Sequence, residues 1–174
     1  MLVALSLFLL YLPAFIANGI PVVVRNLPGL RLWTAPISVR FFGAHKTYRG
    51  YISGIMGAGI TGILQMEFLD MLPIEVLPLY GMPMQAFFIG AFLGWAALTG
   101  DLVKSFVKRR IGIAPGDPMP IFDGIDYVIG AIVAFLPWYQ PPILGIIFLL
   151  FLAPVLSLVA NVGAYIIQWK ERWY

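Results

Sequence analysis

The stretch Pro83–Thr99, PMQAFFIGAFLGWAALT, runs without a break into Gly100–Arg110, GDLVKSFVKRR. The first part is apolar enough to cross a bilayer, which takes about 20 such residues. The second part continues the chain with Asp101, Lys104, Ser105 and Lys108 at separations of three, four and seven. On a continuing helix these four share one face. Leu102, Val103, Phe106 and Val107 occupy the other positions and stay apolar. Lysines alone at a helix end are explained by snorkelling to the headgroups. Asp101 is not, so the charged face is read as a binding surface at the membrane.

Outward from this stretch, the chain reads as an all-α polytopic membrane protein. It has 174 residues, 61% hydrophobic and only 11% charged, with mean hydropathy +0.92; a soluble domain is about a quarter charged. Five spans are expected: Met1–Val24, Tyr51–Leu69, Pro83–Thr99, a helix from near Ile121 to Trp138, and Pro141–Trp169. Residues 1–174 form one integral-membrane catalytic domain with two charged loops, at about 25–50 and 100–122. The first stretch has neither a basic flank nor a small-residue cleavage site, so it reads as a retained helix.

Basic residues set the orientation. Arg25, Arg31, Arg40, Lys46 and Arg49 fall in the first loop, Lys104, Lys108, Arg109 and Arg110 in the third, Lys170 and Arg172 in the tail. The loop between spans two and three carries Asp70 and Glu75 instead. A multi-pass protein of the cell membrane is expected, N-terminus outside, C-terminus and charged loops cytoplasmic. Gly50, Gly54, Ala58, Gly90 and Gly94 recur at helical spacing and allow close helix packing.

Three groups carry the chemistry. The first is the face Asp101, Lys104, Ser105 and Lys108, with Arg109 next to it. The second is Asp123 and Asp126, three apart, with Asp117 upstream. Grouped carboxylates suit magnesium, which shares itself between a few carboxylates and substrate phosphates; acids at a helix start are also favoured by the helix dipole. The third is Gly43–Gly50, with His45, Lys46, Thr47 and Arg49 just before span two. This is an anion-binding pattern or a plain positive-inside flank. Its glycine spacing is not that of a Walker loop.

Zero cysteines and one histidine exclude a thiol nucleophile, thiolate metal sites and a histidine metal site. No Gly-x-Ser-x-Gly elbow is present. What remains suits phosphate chemistry, in which cations and a metal neutralise two anions and align them. Nothing calls for nucleic acid. A transporter, another aspartate-dependent lipid enzyme or a structural membrane subunit are the alternatives; the nearly charge-free outer half weakens the first.

Gly100-Asp101, Ser105, Lys108-Arg109, Asp117, Pro120 and Asp123-x-x-Asp126 resemble the signature of the membrane cytidylyltransferases that make CDP-activated lipids. His45-Lys46-Thr47-x-Arg49-Gly50 and the small size are similar to the archaeal branch, the CDP-archaeol synthases. Pro118-Met119-Pro120-Ile121-Phe122 stands where the wider family has His-Gly-Gly, and Gly124 where it has arginine. The resemblance implies transfer of CMP from CTP to an unsaturated polyprenyl ether lipid phosphate, with a CDP-diacylglycerol synthase acting on phosphatidic acid as the related alternative. It also implies a catalytic role for Lys104, Lys108 and Asp123 and metal ligation by Asp101, Asp123 and Asp126, with Mg2+ as cofactor. Substrate contacts fall to His45, Lys46, Thr47, Arg49, Ser105, Arg109 and Asp117. Oligomeric state is left open.

Overall fold

The computed structural model describes residues 2–29, 33–69, 81–114, 117, 119 and 122–170. Six α-helices follow in order: α1 (Leu2–Asn26), α2 (Val39–Phe42), α3 (Tyr48–Leu69), α4 (Pro83–Arg110), α5 (Asp126–Phe135) and α6 (Ile143–Ile166). A 3-10 turn, Phe122–Gly124, precedes α5. No strand occurs among the described residues, only an isolated bridge between Pro36 and Thr47. Asp70 and Glu75 lie outside the described residues.

Helices α1, α3, α4 and α6 are long and apolar enough to cross a membrane. The chain is a multi-pass membrane protein. The fifth expected span is shorter than a full crossing among the described residues: α5 has 10 residues, about 15 Å of helix. It starts at Asp126 rather than near Ile121 because the preceding residues are committed elsewhere. Asp123 sits in the 3-10 turn, where its carboxylate accepts the Met119 amide at 2.5 Å and its own amide bonds the Met119 carbonyl at 3.1 Å. At the other end Leu136 is followed by a turn and the Pro141-Pro142 pair, which cannot continue a helix.

Helix α4 is the axis. Its 28 residues make a rod of about 42 Å, longer than the roughly 30 Å hydrocarbon layer. Its final turns carry the charged face out of that layer, as the unbroken helical spacing predicts. Around it the core is aliphatic and aromatic: Leu7, Tyr11, Leu93, Val128 and Leu149 are fully enclosed. Close approach is bought by missing side chains at two crossings. A Cβ on Gly90 would lie 2.4 Å from the Ala58 carbonyl oxygen, fixing α3 against α4. A Cβ on Gly100 would lie 2.6 Å from the Asp126 carbonyl oxygen and 3.0 Å from Gly130. This second crossing seats α5 on α4 and sets Asp126 beside Asp101.

Helix α6 is the least buried of the long helices. Tyr127 Oη ties it to α5 by donating to the Ala153 carbonyl at 3.1 Å, and Ser157 Oγ donates to Tyr127 Oη at 3.3 Å. Pro154 lies between these two α6 residues and has no amide hydrogen to give.

Candidate active site

The first loop reaches the site by folding back on itself. The Ile37 amide donates to the Lys46 carbonyl at 2.8 Å and the Tyr48 amide to the Ala35 carbonyl at 3.1 Å. Helix α2, opened by Ser38, rests on α4 through Phe41 and Phe106, ring centroids 6.1 Å apart. Thr47 Oγ1 accepts the Gly50 amide at 3.2 Å and caps α3, an interaction worth about 1 kcal/mol. The result places Lys46 against α4, where its ammonium bonds the Asp101 carboxylate.

From that contact a continuous ionic network runs across three elements. Lys104 Nζ lies 3.2 Å from Asp101 Oδ1 on its own helix, 3.2 Å from Asp123 Oδ1 in the 3-10 turn and 2.9 Å from Asp126 Oδ2 on α5. Lys108 Nζ lies 3.3 Å from Asp123 Oδ1 and donates to the Asp117 carbonyl at 2.6 Å. Three carboxylates therefore point at one ammonium. The Asp101, Lys104 and Asp126 side chains are only 13%, 15% and 8% exposed. Taking such ions out of water carries a penalty that only close pairing offsets, so the network holds together as a unit. Asp126 Oδ1 is buried with no hydrogen-bond partner. Burial alone would raise the Asp123 carboxyl, but the Met119 amide and the Lys104 and Lys108 ammoniums hold it below the ordinary carboxylate value.

Lys46, Asp101, Lys104, Lys108 and Asp123 of this network line a cavity of about 1410 Å³ at the end of the bundle where α1, α4 and α6 finish and α3 begins, while Asp126 is not among its lining residues. All of the expected substrate residues line it: His45, Lys46, Thr47, Arg49, Ser105, Arg109 and Asp117. They do so unequally. Arg49, Ser105 and Lys108 are buried, at 5%, 5% and 7% exposure, a strong placement for polar groups. His45 sits exposed at the rim. Ser105 Oγ donates back to the Asp101 carbonyl at 2.8 Å. Arg109 donates to the carbonyls of Ile113 and Ala114 and thereby pins the chain after α4. Asp117 joins through its carbonyl, its residue otherwise exposed.

Asp101, Asp123 and Asp126 offer hard oxygen donors converging on one point, and Asp126 Oδ1 has acceptor capacity left over. Among the described residues no group of three or more His, Cys, Asp or Glu side chains is arranged to hold a metal by itself. The donor set thus fits magnesium only in the shared manner, with one or two carboxylates and the rest from substrate oxygens and water.

A further part of the wall was only partly legible in the sequence. Arg25 at the end of α1, Lys170 after α6 and Asn161 within α6 all line the same cavity. In the sequence the two cations read only as markers of orientation. Asn161, a polar residue inside an apolar span, was the available signal.

An all-helical membrane protein with a buried aspartate–lysine site at one end of its bundle is the class that fold and site define. A family profile described as CarS-like, CDP-archaeol synthase, matches residues 1–174. The CDP-archaeol synthase of Methanocaldococcus jannaschii is 34% identical over 169 residues, 94% of this chain and 93% of that one. The CDP-archaeol synthase of Pyrococcus furiosus is 31% identical over 170 residues, 96% of each chain. A solved structure, of an intramembrane enzyme for archaeal membrane lipid biosynthesis, superposes with TM-score 0.69 at 28% identity and covers 89% of this chain and 92% of its own. The chain belongs to the CDP-archaeol synthase family.

Proposed function

We propose that this enzyme transfers CMP from CTP to an unsaturated archaeal ether lipid phosphate, 2,3-bis-O-geranylgeranyl-sn-glycerol 1-phosphate, giving CDP-archaeol and pyrophosphate. Family membership supports the reaction. The structural observation that supports it most is the convergence of Asp101, Asp123 and Asp126 on Lys104, of which Asp101, Lys104 and Asp123 line a cavity that further cations also line. Two polyanions must meet in this reaction, and such a wall can neutralise both.

An oxygen of the lipid phosphate attacks the α-phosphorus of CTP, and the bond from that phosphorus to the β-bridging oxygen breaks, releasing pyrophosphate. A phosphate monoester has a second pKa of about 6 and is already largely dianionic at neutral pH. No side chain has to remove a proton, in keeping with a site built of Asp, Lys and Arg. Lys104 and Lys108 stabilise charge on the departing pyrophosphate, and Asp123 fixes both ammoniums. One or two of Asp101, Asp123 and Asp126 would hold magnesium together with substrate oxygens and water, and the metal would supply charge neutralisation at the triphosphate. Arg49, buried at the start of α3, adds a fixed positive charge to the cavity.

The inferred orientation has the cavity end cytoplasmic and the N-terminus outside. Arg25, Lys46, Arg49, Lys104, Lys108, Arg109 and Lys170 all line the cavity at this one end, in keeping with the positive-inside rule. The test of the reaction is pyrophosphate release by purified protein in mixed micelles. Release is expected only when CTP, Mg2+ and the ether lipid phosphate are all present, with ATP, GTP and UTP much poorer. Equal rates with all four nucleotides, or release without lipid, would overturn the proposal.

A further inference from the structure

Arg25 and Lys170 stand on the cavity wall away from the aspartates, and the transfer as derived gives them no part. The backbone takes an unusual path to put Lys170 there. After α6, the Trp169 amide donates to the Ala164 carbonyl at 2.7 Å and the Gln168 amide to the Tyr165 carbonyl at 3.0 Å. These are the two bonds of a Schellman turn, whose pivot is usually glycine. Here the pivot is Gln168, with φ 58°, a conformation that crowds a side chain. Such strain persists only where the surroundings determine it.

The surroundings are polar contacts that direct the tail inward. Lys170 Nζ donates to Asn161 Oδ1 at 2.6 Å, and Arg25 Nη2 donates to the Trp169 carbonyl at 2.8 Å. A lysine free to choose at a membrane face extends toward water and headgroups. This one is turned back along α6. Among the described residues no carboxylate lies within ion-pair distance of Arg25 or Lys170, and Lys46, the next cation, already has Asp101. Burial first, then repulsion from Arg25 and Lys46, holds the Lys170 ammonium below the ordinary lysine value. The adjoining wall is apolar, with Ile20 and Val23 from α1 and Ala160, Ala164 and Ile167 from α6.

We propose that Arg25, Lys170 and Asn161 form a second phosphate subsite, which receives the phosphate monoester of the lipid substrate while Lys104 and Lys108 receive the triphosphate. The assignment rests on the two-substrate reaction proposed above. Two cations with no carboxylate partner among the described residues accept a dianion, and the amide nitrogen of Asn161 adds donors. The apolar wall suits a ligand whose other end is hydrocarbon, which a nucleotide is not. Released pyrophosphate shares the same phosphate chemistry, so the experiment has to separate the two.

The test compares R25Q, K170Q and N161D with the wild type, varying lipid phosphate and CTP separately and adding pyrophosphate as inhibitor. N161D supplies a carboxylate to Lys170 without removing a cation, so its thermal stability is expected to hold or rise. Each variant should raise KM for lipid phosphate at least tenfold, leaving KM for CTP and the pyrophosphate inhibition constant within twofold. Weaker pyrophosphate inhibition with unchanged lipid KM would assign the corner to the leaving product and overturn the proposal. So would constants unchanged throughout in N161D, the variant that keeps both cations and its fold. A parallel measurement needs no turnover: thermal stabilisation by lipid phosphate alone, expected for the wild type and lost in N161D. A wild type that releases no pyrophosphate would refute the reaction, while this second readout would still decide the subsite.

Discussion

Lys104 is the residue on which the site depends. One ammonium serves three carboxylates from three elements, so replacing it leaves buried anions facing one another and, under the proposed reaction, removes a charge that stabilises the departing pyrophosphate. K104M is expected to lower pyrophosphate release by at least about 10²-fold, the usual consequence of losing a preorganised charge stabiliser. Its thermal stability should come to depend on Mg2+ far more than that of the wild type, because a bound cation replaces the missing one; melting curves with and without Mg2+ check this. Asp123 sets a pH limit. Its folded pKa lies below the ordinary carboxylate value, so its contribution to stability is complete above the ordinary aspartate pKa of about 3.9 and is lost as pH falls through the folded value. Acid melting of D123N should therefore show a weaker loss below pH 4 than the wild type.

Two elements carry predictions of their own. At the α4–α5 crossing a methyl group on Gly100 has no room, so G100A should lower stability by about 1–3 kcal/mol. It should also reduce activity more than its stability alone accounts for, since the shift moves Asp126 away from Asp101. At the end of α6, Q168G places glycine at a left-handed position and should raise stability by roughly 1 kcal/mol, measured by thermal or denaturant unfolding. These elements also show what a reader of the sequence could and could not find. The charged end of α4 was legible because helical spacing is written in neighbouring residues, three, four and seven apart. The meeting of Lys46 with Asp101 was legible only as two separate charged groups, since 55 positions separate them and only the folded first loop joins them. The start of α5 was misjudged because the Asp123 side chain makes a local turn with Met119, and acids at a helix start look alike in sequence whether they cap or continue. Lys170 escaped because its direction is set by one left-handed residue that composition does not reveal.

On the scale of the whole molecule, Lys46 and Arg49 of the first loop and α3, Lys170 after α6 and the charged end of α4 gather at one end of the bundle. The absence of cysteine makes the inferred orientation easy to test with single introduced thiols. Trp33 and Gln140 are exposed and lie near opposite ends of the bundle. W33C should react with a membrane-impermeant reagent only from the cytoplasmic side, and Q140C only from the outer side; the reverse pattern would invert the assignment. The length of α4 has one more consequence. Because a single unbroken rod carries both the membrane crossing and Asp101, Lys104 and Lys108, these side chains stand at a fixed height above its outer end. Under the proposed reaction this rod is a depth gauge. The enzyme's rate should peak in vesicles whose thickness brings the lipid phosphates level with those side chains, and decline in both thinner and thicker membranes.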